Sequence, residues 1–223
     1  MLLGVTSHGA SVKLVLASAS PRRRELLAAL GYEFEVVPSL VDEESFASAR
    51  PDALGRRIAR AKAEDVASRQ PEAVVLAADT IVVLRGEVLN KPRDTDEARD
   101  MLDRLRHRWH RVITAVCVKP PARRARVEHV TTRVQMRPYA PLEIDASIAR
   151  GDPFDKAGAY AIQDPFFAPV ASYEGCYCNV VGLPLWTALR MLTQAGVVPV
   201  RDGSMPPACN ACLTKLIGPD SHR

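Results

Sequence analysis

A long apolar run in the middle of the chain limits the folds that this sequence can adopt. It reads AVVLAADTIVVL from Ala73 to Leu84, and one charged residue, Asp79, interrupts it. Such a continuous apolar run predicts a long buried strand. A charge in such a strand is costly unless it has a partner. Asp79 therefore indicates either a structural buried salt bridge or a functional carboxylate that binds metal or accepts a proton.

The elements on either side of this run alternate between strand and helix patterns. Helices are predicted after Ser20, over residues 51–70, 93–108 and 141–150, and from Pro184 to Gly196, with Lys156–Gln163 read as strand-like. Consecutive strands near Val112–Met136 predict antiparallel pairs, so the fold class is α/β with a mixed β-sheet and flanking helices. The pattern lapses near Pro199. Residues 1–198 are therefore predicted to form a single domain and residues 199–223 a loose C-terminal tail.

Composition excludes several classes of protein. Of the 223 residues, 47% are hydrophobic and 25% charged, which is typical of a soluble globular domain. No apolar run reaches the length that spans a membrane, and the first residues lack the pattern of a signal peptide. The net charge of +4 and the 5% aromatic content suit an anionic ligand better than nucleic acid. The expectation is a cytoplasmic protein without a nucleic-acid or membrane partner.

The cysteines are five in number, and four of them form two close pairs, Cys176-x-Cys178 and Cys209-x-x-Cys212. An odd count favours reduced thiols in a cytoplasmic protein. Four thiolates can also bind zinc, although the first spacing is unusual for such a site.

The segment SASPRRR at residues 18–24 has an unusual concentration of positive charge. Ser20 and Pro21 are typical of a helix start. Arg22 and Arg23 then lie in the first turn, where the helix dipole disfavours cations unless an anion binds. Because arginine pairs well with phosphate oxygens, the segment indicates a polyphosphate cradle. The alternative is a basic helix start whose arginines are solvated.

Other candidate residues have both functional and ordinary interpretations. Glu43 lies in the acidic loop SLVDEES, which offers Mg²⁺ ligands or is simply solvated. Lys62 in an apolar-leaning helix and Lys91 before a proline suit phosphate contacts, although a lysine in a helix commonly extends its amine to solvent. Gln163 ends the small-residue segment DKAGAYAIQ and has the donor and acceptor that base recognition needs, or it is a turn residue. Thr80 follows Asp79 and either touches a ligand or satisfies the backbone.

Seven segments taken together resemble the Maf family. They are LASASPRRRELLAALG, VDEE, ARAKA, ADTIVVLRGEVLNKP, ITAV, GDPFDKAGAYAIQ and NVVGLPL, in that order between Leu14 and Leu192. The resemblance departs at Cys176, where the family usually has serine, and in RHRWHRV at residues 106–112. The ending KAGAYAIQ is similar to the branch that prefers dTTP and UTP.

The resemblance implies a fold, a reaction and a set of site residues. The implied fold is an elongated mixed sheet with two lobes around a cleft, similar to the inosine triphosphatase group. The implied reaction hydrolyses a nucleoside triphosphate to a monophosphate and pyrophosphate with a divalent metal, Mg²⁺ or Mn²⁺, and a homodimer is the family expectation. Asp79 is the implied proton acceptor and Glu43 and Asp79 the implied metal ligands. Substrate contacts are implied for Ser18, Arg22, Arg23, Lys62, Thr80, Lys91 and Gln163.

A second hypothesis from another class uses the same phosphate cradle. It is a nucleotide-binding regulator of cell division that does not hydrolyse its ligand. Asp79 argues against it, because a pure phosphate binder gains nothing from a carboxylate beside the anion.

Overall fold

The computed structural model describes residues 12–46, 50–210 and 212, and it is built on a seven-stranded mixed β-sheet. The strands are β1 (Leu14–Leu16), β2 (Glu35–Val36), β3 (Val74–Leu84), β4 (Glu87–Leu89), β5 (Trp109–Lys119), β6 (Arg126–Met136) and β7 (Val170–Glu174). Their order is β2-β1-β3-β5-β6-β7, with β4 paired to β3. β1 pairs in parallel with β2 and β3, whereas β3, β5, β6 and β7 pair antiparallel. The predicted α/β class with a mixed sheet is confirmed.

Helices cover the sheet. They are α1 (Pro21–Ala29), α2 (Pro51–Arg69), α3 (Thr95–Leu105), α4 (Pro141–Ala149), α5 (Tyr177–Val181), α6 (Leu185–Gln194) and α7 (Pro207–Asn210). The five helices predicted from periodicity and caps are α1, α2, α3, α4 and α6, and all five are confirmed. No helix within the described ranges is long and apolar enough to cross a membrane.

The central strand β3 has helices on both of its faces. On one face Val75 and Ala77 pack with Ala59 and Ala63 of α2. On the other face Leu76 packs in a cluster that includes side chains of α1 and α6. Every β3 residue except Thr80 is buried. The predicted long buried strand is confirmed, and burial on both faces explains why its apolar run is continuous.

The segment Lys156–Gln163 is not a strand, so that prediction was wrong. It contains a short 3₁₀ helix, Ala157–Ala159, in which Gly158 has φ +70° and Ala159 has φ +64°. The Gly158 amide donates a hydrogen bond to the Asn90 carbonyl oxygen at 3.0 Å. Glycine adopts positive φ readily, and alanine and glycine have low strand propensity, so a tight turn suits this sequence better than a ladder.

The described part of the C-terminal segment contacts the core, which differs from the expected loose tail. Met205, Cys209 and Cys212 pack in the cluster beside α1 and α6. A disulfide joins Cys178 of α5 to Cys209, so the expectation of reduced thiols is wrong for these two cysteines. The Trp186 indole donates a hydrogen bond to the Cys209 carbonyl. The apolar residues that make these contacts are too few and too widely spaced to show the periodicity of a helix or a strand in the sequence. The rest of the predicted tail, residues 211 and 213–223, lies outside the described residues.

Candidate active site

The turn from β1 into α1 positions the two arginines of the SASPRRR segment. Ser20 caps α1, because its Oγ accepts a hydrogen bond from the Arg23 amide at 3.4 Å, and Pro21 is the first helical residue. Arg22 extends to Asp155, and its Nη1 lies 2.8 Å from Asp155 Oδ2. The predicted helix start is confirmed, and both arginines point to one pocket.

Arg23 is held by three neutral acceptors. Its Nε donates to the Gly182 carbonyl at 2.9 Å, Nη1 to Ser18 Oγ at 3.2 Å and Nη2 to Thr80 Oγ1 at 3.0 Å. Burial lowers the pKa of Arg23, and the nearby charges of Asp79 and Glu43 oppose that shift. A guanidinium has five N–H groups, so two remain for a ligand.

Lys62 holds two carboxylates at the floor of this pocket. Its Nζ lies 2.7 Å from Asp79 Oδ1 on β3 and 2.8 Å from Glu43 Oε1 in the acidic loop. Lys62 is 7% exposed and Asp79 4%, so their ion pair is buried. Burial alone would raise the pKa of Glu43, but the charge and hydrogen bond of Lys62, together with the charges of Lys91 and Arg23, outweigh burial and lower it. The two interpretations of Asp79 are therefore compatible, because its salt bridge lies inside a pocket.

The pocket, called here the charged pocket, brings together most of the predicted site residues. It is lined by Ser20, Arg22, Arg23, Glu43, Lys62, Asp79, Thr80, Val82, Lys91, Val112, Asp155, Lys156, Ala157, Tyr160, Ala161, Gln163, Val180 and Val181. Ser18 lies in an adjoining hollow that shares several of these residues. All nine predicted residues are thus at or beside one pocket, although their chemical roles remain predictions.

The lining has an excess of positive charge. Five cations and three carboxylates face the charged pocket. Among the described residues, neither Arg23 nor Lys91 has an ion-pair partner. A multiply charged anion would therefore find cations that internal carboxylates do not already neutralise.

Sequence analysis missed the residues that form the other end of the charged pocket. Val82, Val112, Val180, Val181 and Tyr160 form the apolar part of the lining, which also includes Gln163. Asp155, which pairs with Arg22, was quoted in a motif without a role. A signal for Tyr160 existed, since a large aromatic side chain stood alone in a run of small residues. The valines gave none, because Val82 and Val112 lie in strands, where valine is ordinarily core, and Val180 and Val181 lie in the short helix α5.

The two carboxylates are suitable donors for a magnesium-type ion. Mg²⁺ usually binds through one or two protein carboxylates together with substrate phosphates and water. Glu43 and Asp79 both face the charged pocket and both lie within hydrogen-bond distance of one ammonium group. Within the described part of the chain, no group of three or more His, Cys, Asp or Glu side chains is arranged to hold a metal ion. A divalent ion held by Glu43 and Asp79 would take its other ligands from bound phosphates and water.

The fold and the charged pocket define an α/β protein with a pocket of excess positive charge at a strand-to-helix turn. A family model described as Maf-like protein matches residues 13–195. A relative from Thermomicrobium roseum, named dTTP/UTP pyrophosphatase, is 55% identical over 202 residues, covering 89% of this chain and 92% of the relative. A relative of the same name from Syntrophomonas wolfei is 47% identical, covering 81% of this chain and 96% of the relative. The chain belongs to the Maf-like protein family.

A solved structure was also compared with this chain. It is described as "The structure of the Staphylococcus aureus Ham1 protein", and it matches with 15% identity and a TM-score of 0.42 over 56% of this chain and 72% of that chain. The two-lobed, inosine triphosphatase-like arrangement stays a prediction.

Proposed function

We propose that this protein is a nucleoside triphosphate pyrophosphatase that hydrolyses dTTP and UTP to the nucleoside monophosphate and pyrophosphate. The observation that carries the proposal is the charged pocket, where unneutralised cations, two carboxylates and an apolar wall meet. Relatives that match along most of their length have the name dTTP/UTP pyrophosphatase, which supports this substrate class.

The charged end of the pocket suits a triphosphate. The guanidinium groups of Arg22 and Arg23 and the amines of Lys62 and Lys91 would bind the phosphate oxygens. They would also stabilise the negative charge that develops on pyrophosphate as it leaves. Ser18 would donate its hydroxyl proton to the same phosphates, since its two contacts in this site use Oγ as an acceptor.

Asp79 is the proposed proton acceptor. Its Oδ1 accepts from Lys62, so Oδ2 would orient and deprotonate the water that attacks the α-phosphorus in line with the leaving pyrophosphate. Glu43 and Asp79 would hold a Mg²⁺ or Mn²⁺ ion together with the phosphates. Such an ion supplies charge neutralisation and makes a bound water more acidic.

The apolar end suits a base. Tyr160 and the valine wall would contact the base, and the Gln163 amide would recognise a pyrimidine edge with its donor and its acceptor. The family resemblance links Arg22, Thr80 and Gln163 with substrate choice, and all three line the charged pocket. The proposal places the enzyme in the cytoplasm, acting on free nucleotides and without nucleic acid, and as a homodimer.

The test is pyrophosphate release from a panel of canonical and modified nucleoside triphosphates, with Mg²⁺ or Mn²⁺. We expect turnover of dTTP and UTP, and we expect Asp79→Asn to lower kcat by at least about 10²-fold, the usual size of a general-base contribution. Asp79→Asn should still fold, because Lys62 keeps Glu43 as a partner. The matched control is Asp103→Asn, an exposed carboxylate that does not line the charged pocket.

Other outcomes of the same panel are informative. Full turnover by Asp79→Asn would eliminate the proposed role of that carboxylate. Unchanged base preference in Gln163→Ala would eliminate base recognition by Gln163. Binding of a non-hydrolysable α,β-methylene nucleotide without turnover of any triphosphate would favour the regulator hypothesis.

A further inference from the structure

A chain of hydroxyl groups leads from the charged pocket into the core. Thr80 of β3 and Thr114 of β5 are direct partners across the antiparallel ladder. Their hydroxyl oxygens are 3.0 Å apart, and Thr114 is fully buried. Thr114 lies behind the pocket and does not line it.

The chemistry of the neighbours fixes the direction of each hydrogen bond. Thr114 Oγ1 lies 2.8 Å from the Asn179 carbonyl oxygen, which can only accept, so Thr114 gives its single proton to Asn179. Thr80 must then be the donor in the contact between the two threonines. Arg23 Nη2 donates to Thr80 Oγ1, since a guanidinium has no acceptor.

The result is a directed chain from Arg23 to Thr80, from Thr80 to Thr114 and from Thr114 to the Asn179 carbonyl. The Thr80 hydroxyl uses its only proton toward the core, so it presents only lone pairs to the pocket. It can accept from Arg23 or from a ligand, but it cannot donate to phosphate. Ser18 differs, because both of its contacts use it as an acceptor.

We propose that Thr114 is a positioning residue that acts through Thr80 to fix the Arg23 guanidinium for phosphate binding. The proposal rests on the function proposed above. Without the Thr114 acceptor, the Thr80 hydroxyl would be free to turn its proton toward Arg23, where it repels the cation instead of accepting from it. Thr80, Ser18 and Gly182 together hold Arg23 so that one N–H on each terminal nitrogen stays available for phosphate oxygens.

Such a role acts on the phosphates and not on the base. Loss of the Thr114 hydroxyl should therefore weaken the binding of every nucleoside triphosphate by the same factor. A direct contact between Thr80 and the base would instead change the ratio between substrates. These outcomes separate the positioning role from base recognition.

The test compares Thr114→Val, which keeps the shape and removes the hydroxyl, with Thr114→Ser, which keeps the hydroxyl. We expect Thr114→Val to lower kcat/KM for dTTP and for UTP about equally, by about 10- to 100-fold, the loss expected when a hydrogen bond to a charged group is broken. Thr114→Ser should stay within about 3-fold of wild type, because the acceptor remains.

The matched control is Thr132→Val. Thr132 on β6 is as buried as Thr114. Its hydroxyl donates to the backbone carbonyl of Cys176 and accepts from the side-chain Nδ2 of Asn179. It has no contact with Thr80, and it contacts Asn179 through the side-chain Nδ2 and not through the carbonyl oxygen that accepts from Thr114. Thr132→Val should therefore lose stability without the loss in kcat/KM. The second control is the Arg23→Lys background, in which Thr114→Val should have little further effect.

Binding of inorganic tripolyphosphate, measured by calorimetry, separates failure of this inference from failure of the proposed function. It reports on Arg23 without any hydrolysis, and Thr114→Val should weaken it by the same factor as kcat/KM. Wild-type affinity for tripolyphosphate in Thr114→Val would overturn the proposal, and so would an equal loss of kcat/KM in Thr132→Val. A changed ratio of the kcat/KM values for dTTP and UTP would also overturn it, as would a full further loss of kcat/KM when Thr114→Val is added to Arg23→Lys. Absence of tripolyphosphate binding by the wild type would also overturn it, because its premise is a phosphate-binding Arg23.

Discussion

The ion pair between Lys62 and Asp79 illustrates why a buried charge is informative. Removing both charges from water offsets much of their attraction, and hydrophobic replacements of such pairs are often neutral or stabilising. The pair therefore has little value to the fold alone. Its position at the floor of the charged pocket, with Glu43 on the same ammonium group, is better explained by the ligand that the pocket binds.

His110 predicts a pH dependence of stability. It is 3% exposed, its Nε2 lies 2.7 Å from the Tyr160 hydroxyl, and burial lowers its pKa to about 4 from 6.5. Between these values the unfolded chain binds a proton that the folded protein does not. The difference in His110 pKa between the folded and unfolded states therefore affects the free energy of unfolding. Stability is unaffected by it above pH 6.5 and falls as the pH drops toward 4.

The measurement is urea unfolding of the wild type and His110→Gln at pH values from 7 to 4.5. We expect the wild type to lose up to about 3 kcal/mol more than the variant over this window, because each unit of pKa shift corresponds to about 1.4 kcal/mol. The glutamine retains a polar partner for Tyr160. Parallel pH profiles for the two proteins would contradict the assignment.

At the scale of elements, the turn at Gly158 shapes the apolar end of the charged pocket. Its φ is +70°, and a Cβ there would lie 2.9 Å from Val82 Cγ1 and 3.0 Å from Val82 Cγ2. Val82 lines the pocket, and Tyr160 and Gln163 follow in the same segment. A side chain at residue 158 would thus push directly on the proposed base site.

We expect Gly158→Ala to raise KM for dTTP and to lower stability by about 2 to 4 kcal/mol, from left-handed backbone strain and from overpacking. Gly151→Ala is the matched control, since Gly151 has φ +78° and open space around its Cβ position. It should lose only about 1 to 2 kcal/mol from the backbone and keep its KM. Equal KM values in the two variants would show that the turn does not shape the site. Urea unfolding and steady-state kinetics measure both effects.

Helix α5 shows why some elements could not be predicted from the sequence. Helices α1, α2 and α4 begin with proline, and their apolar spacing made them evident. α5 has only five residues, and its cap is Cys176, whose Sγ accepts from the Asn179 amide at 3.4 Å. Cysteine is not among the residues that signal a helix start, so neither length nor cap indicated this helix.

For the molecule as a whole, the clearest predictions came from site residues that violate local preferences, whereas some residues that obey them gave no signal. Asp79 in an apolar strand and Arg22 in a first helical turn are costly placements, and each led to the charged pocket. Val112 and Thr114 are ordinary strand residues. They belong to the site or its support only because β5 lies beside β3, and that adjacency is a property of the sheet order.

The disulfide between Cys178 and Cys209 ties the C-terminal segment to α5, and its loss should lower the stability of the whole protein. The two cysteines are 31 residues apart in sequence, and a loop of that length predicts about 3 to 4 kcal/mol of stabilisation in the chain-entropy model. The Cys178 carbonyl also accepts hydrogen bonds from the amides of Gly182 and Leu183, beside the Gly182 carbonyl that holds Arg23. We therefore expect Cys209→Ser to lower Tm by about 10 °C and to weaken substrate binding.

Dithiothreitol supplies the control for this prediction. It should lower the Tm of the wild type to that of Cys209→Ser, because it reduces the disulfide. The Tm of the variant should not change, because the variant lacks that disulfide. Thiol titration of the unfolded, non-reduced wild type should find three free thiols. Five free thiols together with one equivalent of bound zinc would contradict the disulfide. That result would instead support a metal site formed by the thiolates of Cys176, Cys178, Cys209 and Cys212. A chelator, and not dithiothreitol, would then lower Tm.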